Sequence, residues 1–536
     1  MKVVEYLLRT LEGMGVRHIF GNPGTTELPL VRAAGHRERI RYVVALSEVS
    51  AVPMADGFAR ASRSLGVVNL HVAPGLGNGM GGLYTASIAQ SPLLVLVGAQ
   101  DTRFTHTQPI LHGPLREMAA PVTKAVIELT SAHNAAFNVR RAIRLALTPP
   151  TGPVALLCPP DILETDIADE PQRIEPPALA GLAPDDVARC ADLLAGARSV
   201  GIIVTEDVHW AGAGAAVDTL AASLDAPVYT VPYAGIIPVA TTSRFNAGSL
   251  SPNRKGIATR LAGHDCLLTL GGRGFRTTLF AEADFPQVKI WLGADPQVLA
   301  ADGEFAFARL CDLGAAVPAI AREIGVRRKP PSASRWSGRA PVDLPPPADA
   351  LHPSRAIHAL LRAFRGAFWV DESGLSVSDM RQWIEAGPGE YVTNGSGGIG
   401  WGLPAAAGIA IGHPDRQVVA VIGDGSALYA SEALWSAAHH GARLLLVVLS
   451  NRRYATLNEA ASRLVGTDDV ELFRLEPPAL DFGGLARLYG YRHHRVEREA
   501  DLTTLLDTWA GRVDACTLLE LVIEPALKPV TAARHF

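Results

Sequence analysis

The stretch VVAVIGDGSALYA, residues 418–430, opens on an apolar, β-branched run, turns at Gly-Asp-Gly-Ser and resumes with helical spacing. A short apolar run closed by glycine and followed by a helix is the repeating unit of a parallel α/β sheet, whose strands are buried on both faces. The turn has the form of a phosphate cradle, with glycine backbone ahead of a helix N-terminus. Yet an acid, Asp424, stands where an anion would bind. The next apolar run, residues 444–451, ends in Asn451. In an open parallel sheet the carboxyl ends of neighbouring strands face one crevice, so Asp424 and Asn451 can meet there. One carboxylate, one amide oxygen and a nearby backbone carbonyl make a hard oxygen site suited to Mg²⁺ when phosphate oxygens complete its octahedron. The cation removes the repulsion, and Gly423, Gly425 and the helix start at Ser426 can then approach a diphosphate. The plainer alternative is that Asp424 only caps its helix. Asn451, 27 residues on, favours the metal site.

Working outward, similar runs recur along the chain, separated by helical segments, which is the pattern of an α/β protein. The first block holds 67–72, 93–97 and 154–158; the middle block holds 200–204, 266–270 and 289–292; the last holds 368–370, 418–422, 444–449 and 518–523. Linkers rich in proline and charge at 170–177, 327–334 and 344–347 separate them. The expectation is three parallel-sheet α/β domains over 1–168, 183–326 and 350–536. The first and last look related, each with a glycine-rich turn after a central strand.

A chain of 536 residues has room for about three domains of ordinary size. Its 53 acidic and 49 basic side chains leave a net charge of −4, which argues against nucleic acid or an anionic membrane as partner and for a small molecule. The five cysteines are scattered without CxxC spacing, as in a reduced cytoplasmic protein. Charged residues interrupt the N-terminal helical pattern at 3–15, so neither a signal peptide nor a membrane anchor is expected there.

A second glycine run, GNGMGG at 77–82, matches GxGxxG, with Asp101 beyond the next strand as a candidate ribose ligand. The residues intervening between strand and fingerprint weigh against a dinucleotide site, and glycines also serve close helix packing. Glu48 lies in ALSEVSAVPMADGFA, residues 45–59, among apolar neighbours at helical spacing, where an unpartnered charge would be costly. His71 sits at the end of an apolar strand pattern close before the glycine run; the bland reading is a satisfied core histidine, the sharper one a proton carrier near neutral pH.

These segments together resemble the thiamine diphosphate (ThDP)-dependent 2-oxo acid decarboxylase and carboligase family, and within it most resemble benzoylformate decarboxylases. Gly423-Asp424-Gly425 with Asn451 is similar to the family's cofactor fingerprint. IFGNPGTTELP (19–29), the Glu48 segment and NLHVAPGLGNGM (69–80) are similar to its pyrimidine-binding domain. The resemblance implies pyrimidine-binding, central and diphosphate-binding domains, with Mg²⁺ held by Asp424, Asn451 and the carbonyl of Arg453. It implies that Glu48 bonds the aminopyrimidine N1′, that Gly397 offers its carbonyl to the exocyclic amine, and that Ile399 wedges between the cofactor rings. It further implies His71 as general acid/base, Thr25 as a hydroxyl on the substrate, and Leu457 as an apolar pocket wall. Benzoylformate decarboxylases carry a second histidine in the central domain, whereas this chain reads GGRGFRTTL (271–279), with Thr277 and Thr278. His112 is the candidate replacement. No fingerprint for FAD is found. The implied reaction is decarboxylation of a 2-oxo acid, aromatic in the benzoylformate manner, to an aldehyde and CO₂ in a homodimer or homotetramer with sites at the subunit interface. The alternatives are a carboligase or lyase, acetolactate-synthase-like or benzaldehyde-lyase-like, and a non-catalytic regulator.

Overall fold

A computed structural model describes residues 1–272, 285–301, 304–327, 334, 336–467, 469–524 and 527–531. Three six-stranded, wholly parallel sheets organise the chain. The first contains β1 (His18–Gly21), β2 (Arg41–Val44), β3 (Gly66–Leu70), β4 (Leu93–Gly98), β5 (Ala125–Glu128) and β6 (Val154–Cys158), in the order β2-β1-β3-β4-β6-β5. The second contains β7 (Val200–Val204), β8 (Val228–Thr230), β9 (Asn246–Ser249), β10 (Cys266–Leu270), β11 (Val288–Gly293) and β12 (Phe307–Leu310), in the order β12-β11-β10-β7-β8-β9. The third contains β13 (Phe368–Glu372), β14 (Tyr391–Thr393), β15 (Val418–Gly423), β16 (Leu444–Ser450), β17 (Arg492–Val496) and β18 (Thr517–Val522), in the order β14-β13-β15-β16-β18-β17. The first and third sheets therefore share one strand order, while the central sheet has the doubly wound order of nucleotide-binding folds. The likeness of the first and last blocks is one of topology.

The central strands read as unbroken apolar runs because helices cover both faces: β3, β4, β6, β7 and β16 are buried along their whole lengths. All five cysteines are buried and free. No helix among the described residues is long and apolar enough to cross a membrane.

The glycine run at 77–82 is not a strand-to-helix turn. β3 stops at Leu70, His71 caps the next helix, and residues Val72–Ile88 are continuous helix, so GNGMGG lies in its middle. Its glycines serve packing: a Cβ at Gly82 would press on Val52 and Pro53, and one at Gly79 on Val52 and Leu70. Asp101 is tied to Arg103 in an exposed loop. The dinucleotide reading of this run fails for want of a free loop.

The outer two domains meet through two helices, Glu48–Ser62 and Gly402–Gly412. The second is buried on every side, as its sequence GLPAAAGIAIG requires. A Cβ at Gly57 would lie 2.5 Å from the Ala405 carbonyl oxygen, and one at Gly408 would strike the Met54 backbone. Both glycines are what lets the two backbones touch.

At this junction Arg60 is fully buried, paired with Asp56 at 2.5 Å, and donates to the carbonyls of Gly235 and Thr393 at 3.3 and 3.0 Å. His209 of the central domain is hydrogen-bonded through Nε2 to the Arg60 carbonyl at 3.0 Å. Burial pushes this imidazole down to about 4. Because the folded value lies below that of the free side chain, the stability it contributes is complete above about pH 6.5 and is lost as pH falls toward 4. The urea midpoint is expected to drop between about pH 7.5 and pH 5 in the native chain, and to drop measurably less in His209→Gln.

Candidate active site

Parallel pairing of β15 with β16 sets Gly423 opposite Leu449, so the residues just beyond both strands share one end of the sheet. Asp424 opens the short helix Asp424–Ala427. Its Oδ1 accepts from the Gly425 amide at 2.8 Å and its Oδ2 from the Arg452 amide at 2.6 Å. Arg452 reaches that position in the left-handed region, at φ 60°, the sharp turn that follows β16. Asn451 Oδ1 accepts from the Arg453 amide at 3.1 Å, which orders the loop end. Burial pushes the Asp424 carboxyl up to about 6 against the pull of these amides. No Lys or Arg among the described residues forms an ion pair with it.

A buried acid without a counter-ion, beside an amide oxygen and a backbone carbonyl, is a donor set that fits Mg²⁺. The Arg453 guanidinium is directed to Asp469, at 3.1 Å, so its charge is balanced away from Asp424.

Asp424 lines a cavity of about 1820 Å³ between the central and third domains, with Tyr84 and Ile88 of the first domain also on its wall. Gly423, Gly425, Ser426, Asn451, Arg453, Gly397, Ile399 and Leu457 line it too. Gly397 sits at φ +83° with open space where a Cβ would be, leaving its backbone accessible to a ligand. Ile399 and Leu457 are both partly exposed and present apolar surface to the same space. Sequence reasoning missed Glu372, at the end of β13, which lines the cavity and accepts from the Gly400 and Gly402 amides, each at 2.6 Å. Burial pushes this carboxyl up to about 7. An acid at the end of an apolar strand, in FWVDE, was the available signal.

The remaining predicted residues gather elsewhere, in the first domain, and none of Thr25, Glu48, His71 or His112 lines that cavity. Glu48 starts the helix that follows Ser47, whose hydroxyl caps it by accepting from Val49. Val44, four residues before it, belongs to β2 and not to its helix. The burial of Glu48 comes instead from the Val72–Ile88 helix: Asn78 Nδ2 donates to Glu48 Oε2 at 3.2 Å, and a Cβ at Gly75 would collide with Oε1. His71 lies one residue past its strand, and the Gly75 position touches it as well as Glu48. Thr25 is exposed in the turn after β1. His112 is exposed in a turn whose next residue, Gly113, packs on Ala73. Thr277 and Thr278 lie outside the described residues.

Sequence comparison matches residues 1–120 to the N-terminal TPP binding domain of thiamine pyrophosphate enzymes, 187–320 to their central domain and 372–521 to their C-terminal TPP binding domain. The chain is 34% identical over 499 residues to a benzoylformate decarboxylase of Pseudomonas aeruginosa, covering 90% of this chain and 92% of that protein. It is 23% identical over 535 residues to the acetolactate synthase large subunit of Haemophilus influenzae, covering 94% and 91%. Its fold superposes on the ThDP-dependent 4-hydroxybenzoylformate decarboxylase of Rhodococcus jostii with a TM-score of 0.89 and 29% identity, covering 98% and 99% of the two chains.

Asp424→Asn is expected to weaken Mg²⁺-dependent cofactor binding by more than about 100-fold with the fold unchanged, measured by calorimetry. In the native apoprotein, binding is expected to weaken by about tenfold per pH unit below about 6, because protonation of Asp424 competes with the metal.

Proposed function

Since the chain belongs to the thiamine diphosphate-dependent enzyme family, we propose that it catalyses the Mg²⁺-dependent, non-oxidative decarboxylation of an aromatic 2-oxo acid of the benzoylformate type to an aldehyde and CO₂. The observation that carries this reading is the uncompensated, buried Asp424 carboxylate beside Asn451, at the head of a cavity walled by Gly397, Ile399 and Leu457. The named relatives acting on benzoylformate and 4-hydroxybenzoylformate support the aromatic substrate.

Thiamine diphosphate, when bound, supplies the nucleophile and the electron sink that let a 2-oxo carboxylate leave as CO₂. Asp424, Asn451 and the Arg453 carbonyl would hold Mg²⁺, and the Gly423, Gly425 and Ser426 backbone would cradle the diphosphate. Glu48, steadied by Asn78, holds or releases a proton toward the aminopyrimidine. The Gly397 carbonyl and the Ile399 side chain would orient the cofactor rings. Thr25 offers a hydroxyl to the substrate, Leu457 an apolar wall to its ring, and His71 returns a proton to the product carbon, with His112 as the second proton carrier in place of the absent histidine.

Thr25, Glu48, His71 and His112 do not line the Asp424 cavity of their own chain, which supports a homodimer or homotetramer with each site assembled from two copies; the enzyme so proposed is cytoplasmic. A second reading, carboligation, is favoured by the likeness to an acetolactate synthase and by the threonines at 277 and 278.

Incubation with Mg²⁺, ThDP and benzoylformate is expected to release benzaldehyde and CO₂ in equal amounts, with Glu48→Gln lowering kcat by at least about 100-fold. Acyloin without free aldehyde would overturn decarboxylation in favour of ligation. Co-expression of Glu48→Gln with Asp424→Asn chains should recover about a quarter of native activity, since half of random dimers carry one intact site. No recovery, with mixed dimers demonstrated, would mean that each chain builds its own site.

A further inference from the structure

The turn IFGNPGTTELP contains a buried acid, Glu27, in unusual surroundings. Glu27 is 2% exposed, and among the described residues its only ionisable hydrogen-bond partner is the imidazole of His71, with Nδ1 at 2.7 Å from Oε2. The same Oε2 accepts from the Gly24 amide at 2.7 Å, and Oε1 accepts from the Thr26 hydroxyl at 2.5 Å. A Cβ at Gly98, the last residue of β4, would overlap Oε1, so only glycine leaves room for this carboxylate.

The imidazole is constrained from its other sides too. It lies flat on Gly24, where a Cβ would strike the ring. The residue that follows it, Val72, is buried and sits at φ 39°, a left-handed conformation that strains a β-branched side chain. Such strain persists where surrounding contacts over-determine it, and here it turns the chain sharply from β3 into a helix at His71. The Nε2 atom carries no hydrogen bond among the described residues.

We propose that Glu27 is a positioning residue that holds His71 in the Nδ1–H tautomer and so leaves Nε2 free to exchange a proton at the reacting centre; this rests on the role of His71 in the proposed function. A carboxylate can only accept, so the proton shared with His71 must reside on Nδ1. The Tyr42 phenol and Cys158 thiol near Glu27 are pushed up by burial and stay neutral, and Glu48 is the other carboxylate against the same cradle. Glutamine at position 27 would offer an amide in place of one oxygen and could donate to Nδ1, reversing the tautomer, with the cost known for the wrong tautomer in serine hydrolases.

The test is the native holoenzyme against Glu27→Gln and Glu27→Asp, with imidazole ¹⁵N signals assigned to His71 by difference from His71→Gln. At about pH 8.5, above the ordinary imidazole range, the native and Glu27→Asp signals should report hydrogen on Nδ1 and the Glu27→Gln signals hydrogen on Nε2. With benzoylformate as substrate, Glu27→Gln should lose about 100-fold or more in kcat with KM little changed, and Glu27→Asp should recover part of that loss. An unchanged tautomer in Glu27→Gln, or a loss expressed in KM or ThDP binding alone, overturns the proposal. If no 2-oxo acid is turned over while the tautomer reverses as described, the coupling of Glu27 to His71 stands and the decarboxylase reading falls.

Discussion

The interaction on which the architecture depends is the buried ion pair of Arg60 with Asp56. Its guanidinium reaches the Gly235 carbonyl in the central domain and the Thr393 carbonyl in the third, and it lies over the Trp401 ring at 4.3 Å. Trp401 in turn donates to Asp56 at 2.7 Å. A buried pair of this kind is costly to desolvate, and removing one partner strands the other, at about 3–5 kcal/mol. Its effect is specificity of placement: one side chain ties three sheets together at a point where each has a carbonyl to satisfy. The helix bearing Arg60 begins at Glu48, and the loop between Thr393 and Trp401 carries Gly397 and Ile399. Both halves of the proposed site therefore hang from the same junction.

The two halves are built by different means. The half proposed for the diphosphate is mostly backbone, with amides of Gly425 and Arg452 turned on one buried carboxylate and glycines leaving room for a ligand. The other half is side chain on side chain, with Glu48 held by Asn78 and His71 held by Glu27. Metal and phosphate recognition need only fixed oxygen atoms and amides. Proton transfer needs a particular protonation state at a particular atom, and that calls for a second layer of partners.

The central strands were legible because burial on both faces writes itself as unbroken apolar sequence, as in LLVLV and LLLVVL. Others were not. β8 and β14 have three residues each, too few for any period, and β17 reads RHHRV at the polar edge of its sheet. The run GNGMGG misled because glycine spacing is the same whether it frees a loop or lets two helices touch, and only the packing of Gly79 and Gly82 on Val52 distinguishes these. Glu48 was found for a partly mistaken reason: the apolar residues just upstream of it lie outside its helix, and its burial is owed to a helix distant in sequence. Glu27 stood inside a quoted motif but carried no signal of its role, since nothing in local spacing connects it to His71.

The sequence by itself determined three parallel α/β sheets and the meeting of Asp424 with Asn451, because both follow from local rules: apolar runs become buried strands, and adjacent parallel strands end at one edge. Tertiary structure decided what Asp424 lacks, which is any cationic partner, and what His71 has, which is Glu27 behind it. It also decided that Glu48 and His71 stay out of the lining of the Asp424 cavity in their own chain. These are facts about which surfaces are left uncompensated after packing, and compensation depends on distances between residues far apart in the chain, which periodicity and spacing do not encode.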